Sequence, residues 1–173
     1  LNYFAAVRMI LALLPHMTER RYGHIVNVSS IGVQTAPPRF SAYVASKAAL
    51  DAFSRVVGSE TYGDGVTYTT IHMPLVRTPM IRPTRIYDAF PTLTPDDAAA
   101  MVVEALVERP KHLGTRLGTF GVVSYALAPK MVDALLHVAY RVFPDSKAAG
   151  GDDQVSLNRG AQALVRLLPG VHW

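Results

Sequence analysis

The chain has 173 residues, 50% hydrophobic and 17% charged, enough apolar material for one compact domain or part of one. Seventeen basic against thirteen acidic residues give a net charge of +4, scattered without a basic run, which argues against nucleic acid and suits an anionic cofactor or substrate. There is no cysteine, so disulfides, thiolate metal sites and a cysteine nucleophile are excluded within this stretch, and a cytoplasmic location is expected.

Leu1 to Met17 already reads as the middle of a helix, with no signal-peptide arrangement, so further residues are expected upstream. Tyr3 to Leu14 is apolar with helical character and ends near Pro15-His16-Met17; Thr18 to Gly23 is a polar turn. His24-Ile25-Val26-Asn27-Val28 is a short β-branched run closing on Ser29-Ser30, the pattern of a buried strand that stops at a polar edge. Gly32 to Pro38 reads as a loop, Ser41 to about Glu60 as an alanine-rich helix without proline, and Tyr62 to Gly65 as a turn. Val66 to Met73 is a second strand. Helix, strand, helix, strand at this spacing predicts parallel α/β crossovers.

Pro74 to Pro95 holds five prolines and little periodicity, which predicts a long functional loop. Thr94 is placed to cap a helix that opens with Pro95-Asp96-Asp97 and runs to Glu108. After Pro110, Gly114 to Gly121 leads into an apolar segment from Val122 to Phe143. Pro129, Lys130, Asp133 and Arg141 interrupt it, so two amphipathic helices are expected rather than a membrane span. Residues 1–148 are therefore read as one domain, and 149–173 as a flexible polar tail with a last apolar turn at Ala161 to Leu168.

Tyr43 and Lys47 stand four apart inside a helix, so both side chains leave one face. A phenol ordinarily titrates near 10, and a neighbouring ammonium favours its ionised form, so the pair could exchange a proton with a substrate oxygen. The same spacing also arises by chance, as a half-buried Tyr beside a solvated Lys. Ser30 lies thirteen positions earlier at the end of a predicted strand, where open α/β sheets place their ligands. Ser30 is no nucleophile elbow, because Val28 stands where a glycine is needed. Histidines at 16, 24, 72, 112, 137 and 172 show no paired ligand spacing, so no metal site is expected. Gly114, Gly118 and Gly121 form no phosphate loop.

The run Ile25 to Ser30, followed by Tyr43-Val44-Ala45-Ser46-Lys47-Ala48-Ala49-Leu50, closely resembles the active-site region of short-chain dehydrogenases/reductases. That resemblance implies a Rossmann-like doubly wound parallel sheet whose amino-terminal half, with its glycine-rich dinucleotide turn, lies before Leu1. It implies that Ser30 hydrogen-bonds a substrate carbonyl, Tyr43 delivers the proton, and Lys47 holds the nicotinamide ribose and lowers the tyrosine's pKa. Asn2 matches an asparagine that fixes a water in a proton relay. Pro74-Leu75-Val76-Arg77-Thr78 stands where the family has Pro-Gly-x-x-x-Thr, with Leu75 replacing glycine. There Pro74, the backbone of Val76 and the hydroxyl of Thr78 would bind the nicotinamide end of NADP, with NAD left open.

Ile71 to Ile81, Ile86-Tyr87, Pro95 to Ala99, Arg116-Leu117-Gly118 and Tyr140 to Ser146 resemble bacterial short-chain-type fatty acyl-CoA reductases. The substrate this implies is an acyl-CoA thioester. A ketone or secondary-alcohol oxidoreductase, and a non-catalytic interaction module, are the alternatives. Arg77, Arg82 and Arg85 could face a phosphate or coenzyme A, or simply be solvated. The helices of residues 1–17 and 41–60 correspond to those through which the family often dimerises, so a homo-oligomer is expected. The helices of 120–143 could line an acyl tunnel, pack on the sheet, or meet a partner or membrane surface. Alone, these 173 residues are expected to be insoluble or inactive, since the sheet would keep an open edge.

Overall fold

A computed structural model describes residues 2–79, 81 and 91–142. The tail of 149–173, together with Arg82, Arg85, Ile86 and Tyr87, lies outside the described residues. Two long strands form the frame. β1 (Gly23–Ser30) and β2 (Val66–Met73) pair in parallel from Gly23↔Val66 to Ser30↔Met73. The pairing continues one residue further through Ile31 N–H to the Met73 carbonyl, 3.0 Å. β3 (His112–Leu113) adds a third parallel strand beside Thr70 and Ile71, so the order is β1-β2-β3. Among the described residues β1 has a strand on one side only.

Strand alternation sorts the helices into layers. Ile25 and, in β2, Val66 and Tyr68 face α1 (Phe4–Glu19) and α3 (Ser41–Glu60), where they pack with Ile10, Leu14, Met17, Phe53 and Val57. His24 and Thr69 point the other way. His24 bonds the Ala105 carbonyl of α4 (Pro95–Glu108) at 3.0 Å, and Thr69 donates to the Pro110 carbonyl. Ile71, two residues beyond Thr69, is fully buried, which contributes about 2 kcal/mol. Helices on both faces of a parallel sheet make this the expected Rossmann-like α/β arrangement.

Local chemistry explains the ends. Thr94 caps α4 by accepting from Asp97 N–H at 3.1 Å, and the Asp97 carboxylate accepts in return from Thr94 N–H at 3.0 Å, a complete capping box. The Thr94 hydroxyl, which donates to that carboxylate at 2.6 Å, and then the Thr94 N–H hold the Asp97 carboxyl below its ordinary range. Gly65 takes φ +73° against the Arg21 carbonyl, where a Cβ would collide, so the turn into β2 needs glycine.

Three expectations change, and one gains detail. The first helix does not stop near Met17 but runs to Glu19 with Pro15 inside it. A missing N–H costs about 3 kcal/mol in a helix interior; Leu14 and Met17, packed on the core around that proline, offset it. The loop after Ser30 contains a helical turn, α2 (Gly32–Thr35). The Pro74–Pro95 segment is a loop where it is described, pinned by one parallel bridge between Val76 and Leu93. The apolar pair of helices starts earlier than Val122, as α5 (Arg116–Leu127) and α6 (Pro129–Val142), because Thr115 caps α5 by accepting from Gly118 N–H. No described helix is long and apolar enough to cross a membrane.

Candidate active site

The carboxyl ends of β1 and β2 carry the candidate residues. Ser30 closes β1 and is buried; its Oγ accepts from Gly32 N–H at 3.1 Å. That bond orients the hydroxyl and leaves its proton free to donate. A Cβ at Gly32 would meet Ser30 Oγ at 3.3 Å and Val44 Cγ2 at 3.4 Å. The first turn of α3 is thus drawn against the serine by the absence of a side chain at Gly32.

Lys47 reaches across from α3 and donates through Nζ to the Val28 carbonyl at 2.8 Å. Its ammonium is thereby tied to the strand two residues before Ser30, with two N–H groups to spare. Tyr43, one turn earlier on the same helix face, is 41% exposed. Among the described residues no hydrogen bond joins its phenol to Ser30. Asn2 approaches the same turn. Its amide donates to Ser46 Oγ at 3.5 Å, and Ser46 donates to the Tyr43 carbonyl at 2.7 Å.

Past β2 the chain bends through Pro74. Arg77 N–H donates to the Leu93 carbonyl and Leu93 N–H to the Leu75 carbonyl, both at 2.8 Å. Backbone groups alternate in direction along a strand, so the N–H and C=O of Val76 face away from Leu93. Thr78 Oγ1 is buried with no hydrogen-bond partner among the described residues. An unpaired hydroxyl in that position is costly unless a ligand meets it. These groups fit a carboxamide, which has one acceptor oxygen and two N–H donors.

Two features were not singled out from the sequence. Asp51, one turn beyond Lys47, accepts from His72 Nε2 at 2.7 Å, and the two side chains are 20% and 10% exposed. The pair joins the helix of Tyr43 and Lys47 to the strand that leads into Val76 and Thr78. The sequence signal was the Tyr43-Lys47-Asp51 spacing of four and four. His112 stacks on His72 with ring centroids 5.9 Å apart. Burial first, then the neighbouring His72 and Lys111, lowers the His112 pKa from its ordinary value. The second feature is Gln34. Its side chain and carbonyl occupy the space left open by Gly118 and Gly121, so these glycines serve close packing of α5 on α2. Among the described residues no group of three or more His, Cys, Asp or Glu could hold a metal ion.

Comparison with known proteins bears on this geometry. The profile described as short chain dehydrogenase matches residues 1–87. A fatty acyl-CoA reductase of Acinetobacter baylyi is 53% identical over 173 residues, covering 100% of this chain and 58% of that protein. An uncharacterized oxidoreductase of Mycobacterium bovis is 50% identical over 177 residues, covering 100% of this chain and 52% of that one. The chain thus spans little more than half the length of these relatives. Among solved structures, a short chain dehydrogenase from Burkholderia cenocepacia in complex with NADP superposes with a TM-score of 0.67 at 24% identity, over 78% of this chain and 55% of that one.

Proposed function

The chain belongs to the short chain dehydrogenase family, and from that premise we propose that it supplies the catalytic half of an NADP-dependent reductase that converts a fatty acyl-CoA thioester to the aldehyde. The observation that carries the proposal is the seat of Lys47. A cation tied to β1 two residues before a buried serine, and one helical turn from an accessible phenol, is what proton delivery to a carbonyl needs. The 53% identity to a fatty acyl-CoA reductase along the whole chain supports the thioester as substrate.

In this reading Ser30 donates to the substrate carbonyl oxygen and fixes it in place. Tyr43 gives its proton to the same oxygen, and the Lys47 ammonium stabilises the phenolate left behind. Asn2, next to the Tyr43–Lys47 turn, holds the water that returns a proton. Pro74 turns the chain so that the backbone of Val76 and the hydroxyl of Thr78 take the carboxamide of the nicotinamide. When bound, the nicotinamide supplies a hydride to the carbonyl carbon. Hydride on carbon and the Tyr43 proton on oxygen make a hemithioacetal. It then loses its hydroxyl proton as the C–S bond breaks, releasing aldehyde and the thiol of coenzyme A.

The protein acts in the cytoplasm, as a homo-oligomer through the outward faces of α1 and α3, where Phe4, Met9, Leu13 and Val56 are exposed. The test is the full-length protein with acyl-CoA and a panel of ketones, each with NADPH and NADH. Aldehyde formed from acyl-CoA with NADPH is expected. Tyr43→Phe should lower kcat by at least about a hundredfold, since general acid catalysis contributes roughly 10²–10⁴. Turnover of ketones alone would replace the thioester substrate, and unaltered turnover by Tyr43→Phe would remove the mechanism.

A further inference from the structure

Helices α5 and α6 are separated only by Ala128 and pack on one another. They sit at the active-site end of the sheet. α5 rests on α2, directly after Ser30, and Arg39 holds α6 by donating to the Tyr140 carbonyl at 3.1 Å with its guanidinium 4.4 Å from the Tyr140 ring centre. The face of α5 that meets α2 carries Gly118 and Gly121. About half a turn round the helix, Phe120, Val123 and Leu127 repeat at i, i+3 and i+7. On α6, Met131, Leu135 and Val138 repeat at i, i+4 and i+7. These are helical stripes, yet all six side chains are between 50% and 81% exposed. Leu127 and Met131 straddle the junction and are the most exposed of the set.

Apolar stripes on packed helices normally face a core; these face outward. The charges on the two helices are mostly positive. Across α5 and α6 there are three cations, Arg116, Lys130 and Arg141, against the single carboxylate of Asp133. Lys130 and Arg141 are eleven positions apart, three turns, and so lie along the same flank of the Met131 stripe. An outward apolar stripe with cations along its flank, on helices of 12 and 14 residues too short to cross a bilayer, is the pattern of a helix lying in a membrane interface.

We propose that α5 and α6 together dock the protein onto an anionic lipid surface. The six apolar side chains enter the acyl-chain boundary. Lys130 and Arg141 lay their methylene stems along the stripe and bring their charges to the headgroup phosphates. Because α5 packs on the helical turn that follows Ser30, docking holds the active-site end of the sheet near the bilayer. This surface is independent of the reaction proposed above.

Flotation of the full-length protein tests it, using vesicles of phosphatidylcholine with phosphatidylglycerol and vesicles of phosphatidylcholine alone. The protein is expected to float with the anionic vesicles, less so at high salt. Lys130→Glu with Arg141→Glu should lower partitioning by at least about twentyfold, roughly fivefold for each cation lost. Leu127→Asp with Met131→Asp should abolish it. Both double variants should keep the wild-type helical circular dichroism and turnover of a water-soluble short-chain acyl substrate, so a failure of the enzyme reading is seen separately from a failure of docking. If the Asp variant misfolds, the charge variant, altered only at exposed positions, decides. Absence of flotation, or equal flotation with neutral vesicles, overturns the proposal. So does a drop in oligomer mass in the Asp variant with vesicle binding intact, which would make the stripe a contact between protein copies.

Discussion

Truncating Asp51 to alanine removes the only described partner of His72 Nε2, a contact of 2.7 Å between side chains 20% and 10% exposed. Among the described residues His72 Nδ1 and Asp51 Oδ1 already lack partners, so neither group has a second bond there to fall back on. A hydrogen bond to a charged group contributes about 1.5–3 kcal/mol. An imidazole buried with neither nitrogen paired adds a desolvation cost of similar size, reduced here by the residual exposure of the site. Asp51→Ala is therefore expected to lower unfolding stability by about 2–3 kcal/mol. Asp51→Asn keeps an acceptor oxygen for Nε2–H and should lose about 1 kcal/mol. His72→Phe removes the donor, but the carboxylate can turn toward water, so about 2 kcal/mol is expected. The double variant should lose less than the sum, with a coupling of about 1–2 kcal/mol. Urea unfolding followed by circular dichroism, with the m-value checked for constancy, measures all four. A coupling indistinguishable from zero would refute the view that this pair fastens α3 to β2. In activity assays the loosened brace should raise KM for the cofactor more than it lowers kcat, because Asp51 and His72 fix the spacing between Lys47 and Thr78 without touching either.

A Cβ at Gly121 would stand 2.8 Å from the Gln34 carbonyl oxygen, which cannot move without its backbone, whereas at Gly118 it meets the far end of the Gln34 side chain. Gly121→Ala should therefore destabilise by about 1–3 kcal/mol less about 1 kcal/mol of helix propensity, and Gly118→Ala by less, as chemical denaturation will show. For His112, a pKa lowered on folding means that the unfolded chain binds more protons below the ordinary histidine range. Stability should then fall as pH drops through about 6.5 toward the lowered folded value, and His112→Gln should flatten that slope in denaturant titrations across the window. A slope unchanged by the substitution would assign the pH dependence to other groups.

The elements with strong local signals are the ones the sequence determined. Short runs rich in β-branched residues marked β1 and β2, an alanine-rich stretch free of proline marked α3, and Thr94 with Asp97 marked the start of α4. The four-residue spacing placed Tyr43 and Lys47 on one face, and the serine at the end of the first strand was legible in the same way. All of these depend on neighbours within about one helical turn. Tertiary structure decided the rest, because the partners are remote in the chain. The continuation of α1 past Pro15 depends on Met17 reaching a core built by α3 and β2. β3 is two residues long and exists only as a register against Thr70 and Ile71. Gly118 and Gly121 are uninformative until Gln34 is set against them, and Asp51 meets His72 across 21 residues. Val76 and Leu93 join across a proline-rich segment whose sequence carries no strand period. A pattern in sequence reports which face of an element is apolar; which element covers it, and which buried polar groups then meet, follows only once the sheet has fixed their distances.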